Sequence, residues 1–177
     1  LSALGLPIIK KLIVSAPNGD FIKSELDLGG FGISRHFIDN ELQKIAKEKG
    51  VLIFENTKVN DLFFKDEMNT VIFNGGEIKC EVVAGSFGKR SNLDIKSSRK
   101  FLQTKPGKLN NYIGVKYHIK TAFPADTIAL HNFDSGYCGL SEIEEDKYCL
   151  CYLTTALNLK ANSNSIKEME KNVLFKN

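Results

Sequence analysis

One stretch with a helical period, set between blocks whose apolar residues alternate or cluster as in strands, most constrains how this chain can fold. In "GGFGISRHFIDNELQKIAKEKG" the residues Phe37, Ile38, Leu42, Ile45 and Ala46 recur at the spacing of one helix face. Ser34 is placed to cap the N-terminus, because its hydroxyl can accept from a first-turn N–H, and Gly50 follows Lys49 where a left-handed residue ends a helix. Upstream, "KKLIVSAPNGDFIKSELDL" holds two strand-like runs about Pro17-Asn18-Gly19-Asp20, turn chemistry that predicts a hairpin. Residues 1–29 read as a helix end followed by this strand pair.

Downstream the pattern returns to strands. "VLIFE", "KVNDLFFK", "TVIFN" and "EIKCEVVA", separated by "KDEMN" and Asn74-Gly75-Gly76, predict a meander ending in a buried strand. "SSRKFLQTKPGKLNN" is polar and basic and carries Pro106-Gly107, which predicts a connection. Beyond it "YIGVKYHIK", "TIALHNF", "GYCGLSEIE" and "KYCLCYLTTA" are rich in β-branched and aromatic residues, and predict one antiparallel sheet. The last stretch, "SNSIKEMEKNVLFKN", has Ser163 or Ser165 as a cap and Ile166, Met169 and Val173 as a stripe, a helix that runs to the end of the sequence. The order predicts an α+β fold of two interleaved regions, a β-meander with its helix and an antiparallel sheet. The expected divisions are a hairpin over 1–30, helix plus meander over 31–91, a linker over 92–110, and sheet plus helix over 111–177.

Composition narrows the partners. With 42% hydrophobic and 25% charged residues, 177 residues suffice for one sizeable core or two small ones. The formal charge is only +3 and the bases are scattered, so no nucleic-acid partner is expected. Apolar runs such as "LIVSA" fall far short of the roughly 20 residues that span a bilayer, so no integral membrane segment is expected either. Cys80, Cys138, Cys149 and Cys151 show no CxxC spacing and have no histidine close by, which favours packing thiols over a metal site. Reduced-looking thiols and the absence of an export signal point to the cytoplasm. The chain opens on Leu1, and "LSALGLPI" reads like the end of a helix entering a strand, so the sequence is expected to be an excerpt.

The stretch "GSFGKRSNLD", residues 85–94, places two glycines, two adjacent bases and a serine directly after the apolar "EVVA". It reads either as a plain turn leaving a strand or as one part of a nucleotide site. In "GFGISRHFIDNELQKIAKEKGV", "CEVVAGSFGKRSNLD" and "HNFDSGYCGLSEIEEDKYCLCYL" the chain resembles flavin-dependent oxidoreductases of the para-hydroxybenzoate hydroxylase superfamily, particularly the geranylgeranyl-reductase-like branch. The three likenesses occur in that superfamily's order. The resemblance implies FAD as cofactor, with NAD(P)H as a candidate electron donor, and a small organic substrate, for which the aromatic content suits an apolar one.

It also implies roles for particular residues. Arg35 matches the arginine near the ribityl and phosphate part of FAD, where a planar fork of donors suits an anion. The alternative is an exposed N-terminal arginine, which the helix dipole would disfavour. Val59 matches the strand position whose main chain meets the adenine. Gly85 and Gly88 would let the backbone approach the cofactor, and Arg90 and Ser91 would offer donors. Phe87 stands where the superfamily has the aspartate of an Asp-Gly pair, and a phenyl ring cannot accept a hydrogen bond from ribityl hydroxyls. Tyr137, in the hairpin that the superfamily holds over the flavin ring, becomes a substrate contact. His118 and His131 lie in apolar strands and read as structural, so no catalytic acid or base is assigned.

Two absences shape the expectation. No Gly-x-Gly-x-x-Gly loop is present, and neither is the superfamily's later Gly-Asp motif, so the chain is expected to be the central part of a flavoenzyme that holds FAD weakly by itself. Flavin-dependent halogenases of the superfamily carry a tryptophan in the hairpin that "GYCGLSEIE" matches, and this chain has none, which weighs toward a reductase or monooxygenase. The competing reading is a stand-alone β-rich domain whose Gly-Lys-Arg-Ser turn binds an anion or a protein without catalysis.

Overall fold

The computed structural model describes residues 4–88, 91–100 and 111–174. They fall into two compact units, one drawn from residues 1–45 and 110–177, the other from 46–109.

The first unit is built on a six-stranded sheet. Strands β1 (Ile8–Ser15) and β2 (Phe21–Phe31) form the expected hairpin. Its turn closes through the Ala16 N–H donating to Asp20 O at 2.8 Å, with Gly19 at φ +88° in the left-handed region. Strands β6 (Tyr112–Ile119), β7 (Thr127–Phe133), β8 (Gly136–Glu142) and β9 (Tyr148–Thr155) pair antiparallel, as their patterns predict. The hairpin extends this sheet through a parallel joint, Lys11↔Thr127 to Ser15↔His131, giving the order β2-β1-β7-β8-β9-β6. Just before β7, the Asp126 carbonyl accepts from the N–H groups of Lys10 and Lys11 at 2.7 and 2.9 Å, which aligns the two segments.

The helices in chain order are α1 (Arg35–Glu48), α2 (Asn92–Lys96) in the second unit, and α3 (Ala156–Ala161) and α4 (Ile166–Met169), which follow β9. The single closing helix expected from "SNSIKEMEKNVLFKN" is α4, capped by Ser165 and continued by a π-helical turn over Glu170–Leu174. Met169, 1% exposed, packs with Phe133 and Tyr152, and Val115, Cys138, Val173 and Leu174 close around them. This core sits on one face of the sheet.

Helix α1 has the predicted ends. Ser34 Oγ accepts from the Phe37 N–H at 3.1 Å, and at the C-terminus Gly50 (φ +82°) and Val51 donate to Lys47 O and Ala46 O in a Schellman arrangement. Leu42 and Ile45 of its apolar stripe are more than half exposed.

The second unit holds the antiparallel meander β3 (Val59–Lys65), β4 (Met68–Phe73) and β5 (Gly76–Cys80). One expected strand does not form and another is cut short. "VLIFE" has no ladder partner and is irregular, and β5 stops at Cys80, leaving "EVVA" outside the sheet with Val82 81% exposed. A strand needs a neighbour to bond its backbone, and apolar composition supplies none. The predicted connection after Ser91 begins with α2, and its Pro106-Gly107 lies outside the described residues. Among the described residues no helix is long and apolar enough to cross a membrane.

Gly32 shows how closely the first unit packs. A Cβ there would lie 1.7 Å from Glu142 O and 2.8 Å from its carbonyl carbon, both backbone atoms that cannot swing aside. Gly32→Ala is expected to cost more than about 2 kcal/mol of unfolding free energy in urea, against about 1 kcal/mol for Gly50→Ala, where only the left-handed backbone is penalised.

Candidate functional site

In the second unit, the chain from β3 to α2 encloses a groove of about 780 Å³, within the range of small-molecule sites. Val59, Gly85 and Ser91, assigned separately in the sequence, all line it, as does Phe87. β3 is an edge strand, so the main-chain groups on its free side are not used by the ladder with β4. A bulge between Val59 and Asp61 interrupts the register at the point where the strand borders the groove. Leu62, Val71, Val83 and Leu93 supply apolar wall.

The loop after β5 supplies the other side. The Phe87 ring lies over Gly85, 2.8 Å from where a Cβ on that residue would stand, so only glycine leaves the ring in place. Gly88 continues the loop at φ +81°, with open space around it. Arg90 lies outside the described residues. Ser91 Oγ accepts from the Leu93 N–H at 3.1 Å as the cap of α2. This uses one lone pair and leaves the hydroxyl proton available.

Lys96 is a groove residue that the sequence reading missed. Its ammonium donates to Asn60 O at 2.9 Å and to Asp61 Oδ2 at 3.3 Å, spanning from α2 to the bulge. The Leu62 N–H and then Lys96 hold the Asp61 carboxyl below its ordinary range. The signal was the Ser91 cap five residues before the lysine, in a stretch otherwise read as connection.

Arg35 belongs to the first unit, as the first residue of α1. Its side chain is 83% exposed, and Nε donates to both carboxylate oxygens of Asp39 at 2.8 and 2.7 Å. This i,i+4 pair offsets the dipole penalty that had argued against a plain surface arginine, so that argument loses its force. The turn ahead of Arg35 is fastened to the β8–β9 hairpin, where Glu144 Oε2 accepts from the Ser34 N–H at 2.7 Å. Partial burial pushes Glu144 up, but the hydrogen bonds from Ser34 outweigh it and leave the carboxyl below its ordinary range.

Tyr137 and Cys138 project to opposite faces of the sheet, as neighbours in a strand must. Cys138 packs beneath α4 and the π-turn, whereas Tyr137, 42% exposed, stands on the other face with Leu153 and Asn132 as its register partners. Burial raises the Cys138 thiol, as it does the Cys149 thiol. His131 Nδ1 is 2.8 Å from Ser15 Oγ, a partner across the parallel joint.

The architecture is one that flavoproteins of known structure share. No protein-family model and no curated protein matches the sequence. Solved structures share its fold. The flavin-dependent halogenase CmlS superposes with a TM-score of 0.74 at 14% identity, over 96% of this chain and 33% of its own. A flavoprotein/dehydrogenase from Cytophaga hutchinsonii gives 0.70 at 14% identity, over 95% of this chain and 44% of its own. The halogenase PltM, in complex with phloroglucinol and FAD, gives 0.69 at 13% identity, over 86% of this chain and 36% of its own. This chain thus spans less than half the length of each, and the likeness is one of fold. Two of the three are halogenases, the reaction class that the missing tryptophan weighs against; a shared fold does not carry the reaction.

The Ser34–Glu144 tie can be tested by its pH dependence. A carboxyl whose folded pKa is depressed stabilises the fold above its unfolded value and loses that contribution as the pH falls through the folded one. Glu144→Gln is therefore expected to lower unfolding free energy at pH 7, with the difference from the parent shrinking as the pH drops below 4.5, the ordinary value for this carboxyl. Parallel denaturation curves across pH measure it.

Proposed function

We propose that this chain is the central part of a FAD-dependent oxidoreductase, a reductase or monooxygenase of the geranylgeranyl-reductase-like branch acting on a small, apolar organic substrate in the cytoplasm. The observation that carries the reading is the groove of the second unit, where Val59, Gly85 and Ser91 meet around one cavity. Its residues fit part of a dinucleotide. The open edge of β3 at Val59 offers main-chain groups to an adenine, the apolar wall suits a flat ring, and Gly85 and Gly88 keep side chains out of the cofactor's path. Arg90 and Ser91 would supply donors to the sugar and phosphate part.

Bound flavin supplies hydride or oxygen chemistry, with NAD(P)H as electron donor. What this chain contributes is placement. Tyr137, on the sheet face that α4 leaves uncovered, is assigned to orient substrate through its hydroxyl or ring. Binding of an aromatic polyol, phloroglucinol, by the fold neighbour PltM is in keeping with a small organic substrate here.

Titration of the isotope-labelled 177-residue chain with FAD, followed by amide shifts, tests the assignment. Val59, Gly85, Gly88 and Ser91 are expected to move with weak affinity, and FMN, which lacks adenine, is expected to leave Val59 still. Phe87→Asp restores a ribityl acceptor and is expected to tighten FAD binding roughly fivefold, about the worth of one hydrogen bond. Flavin that co-purifies at near-unit stoichiometry would contradict weak binding, and FAD shifts confined to other residues would remove the site. If inorganic phosphate alone reproduces the shifts and Lys89→Ala with Arg90→Ala abolishes them, the chain is the anion-binding domain instead.

A further inference from the structure

The first unit contains a second cavity, of about 800 Å³, on the helix-covered face of its sheet and so on the opposite side from Tyr137. Its wall is mainly apolar, with Ile13 and Phe21 from the β1–β2 hairpin, Phe133 and Leu150 from the sheet, and Leu174 from the π-turn. One end is polar and has a definite sign. Tyr117 and Tyr152 both donate their hydroxyl protons to the same oxygen, Glu170 Oε1, at 2.8 Å each.

That geometry determines what the polar end can offer a ligand. Each tyrosine has a single proton, and both are directed at Glu170, so the hydroxyls present only lone pairs to the cavity. Glu170 adds carboxylate oxygens and a negative charge. The end is therefore built of acceptors, next to the rings of Tyr117, Tyr152 and Phe133. Acceptors, an anionic charge and aromatic faces together select a donor cation on an apolar body. The hydrogen bond to Glu170 raises the Tyr117 hydroxyl, and burial followed by Glu170 raises that of Tyr152, so both keep their protons at neutral pH.

Two further features fit. Glu170 is the first residue of the π-turn, a widened turn of a kind frequent at functional sites, and it brings the carboxylate over the two tyrosines. At the hairpin side of the same cavity the Lys23 ammonium lies 5.4 Å from the centre of the Phe21 ring, so a positive charge already occupies that side and directs a ligand's ammonium to the Glu170 end. A metal ion is a poorer match, because no group of three or more ligating side chains occurs among the described residues.

We propose that this cavity binds an apolar molecule carrying a primary or secondary ammonium group, with the ammonium against Glu170 and the two tyrosine hydroxyls and the apolar part along Phe133, Leu150 and Ile13. The site is independent of FAD, which is assigned to the other unit.

Calorimetric titration of the 177-residue chain with 3-phenylpropylamine, 3-phenylpropan-1-ol and 3-phenylpropanoate separates charge from shape. The amine is expected to bind at least about tenfold more tightly than the alcohol, and the carboxylate most weakly. Glu170→Gln is expected to weaken amine binding roughly tenfold while leaving the alcohol within about twofold. Should that variant fail to fold, Tyr117→Phe, at a partly exposed position, keeps the ring, removes one acceptor and is expected to weaken the amine about threefold. Equal affinity for amine and alcohol, preference for the carboxylate, no amine binding up to about 5 mM, or an amine affinity indifferent to these substitutions would each overturn the proposal.

Discussion

The parallel ladder between β1 and β7 is the contact on which the first unit depends. Its five register pairs, Lys11 to Ser15 against Thr127 to His131, join a hairpin near the start of the chain to strands from its second half. Parallel neighbours cannot be linked by a tight turn and require a long crossover. Here the crossover contains α1 and the whole second unit. The ladder also determines what each sheet face can hold, because it brings Ser15 beside His131 and Ile13 and Phe21 to the wall of a cavity whose other side comes from β9 and the π-turn.

The parts legible from sequence are those whose physics is local. The hairpin turn rests on Asn18 and Gly19, the start of α1 on the Ser34 hydroxyl and its end on the left-handed Gly50. Each acts within a few residues. The parts not legible depend on distant partners. "VLIFE" and "EVVA" have strand composition but no neighbouring strand, and the parallel joint involves residues more than a hundred positions apart. The groove shows both cases. Resemblance to a family pointed to Val59, Gly85 and Ser91 before anything placed them together, whereas Lys96 sits in a helix too short to have a visible period. At Arg35 two local effects oppose each other: the helix dipole disfavours the cation, and Asp39 one turn later offsets that cost.

The six-stranded sheet separates two chemical environments across one layer of backbone. The face under α4 and the π-turn is crowded, with Met169, Phe133 and Tyr152 buried together. The other face carries Tyr137 and Leu153 on neighbouring strands and is open at Tyr137. Alternation along β8 and β9 assigns each residue to a face, so a one-residue slip of either strand would exchange the two environments.

The free edge of β3 has one more implication. A strand with an unbonded side can recruit the same edge of another copy and begin a continuous sheet between molecules. Here the bulge between Val59 and Asp61 breaks the straight row of donors and acceptors, and the Lys96 ammonium already occupies the Asn60 carbonyl. The features that shape the groove therefore also protect this edge against pairing with another copy, and straightening the strand would favour such pairing even if the fold itself were unharmed.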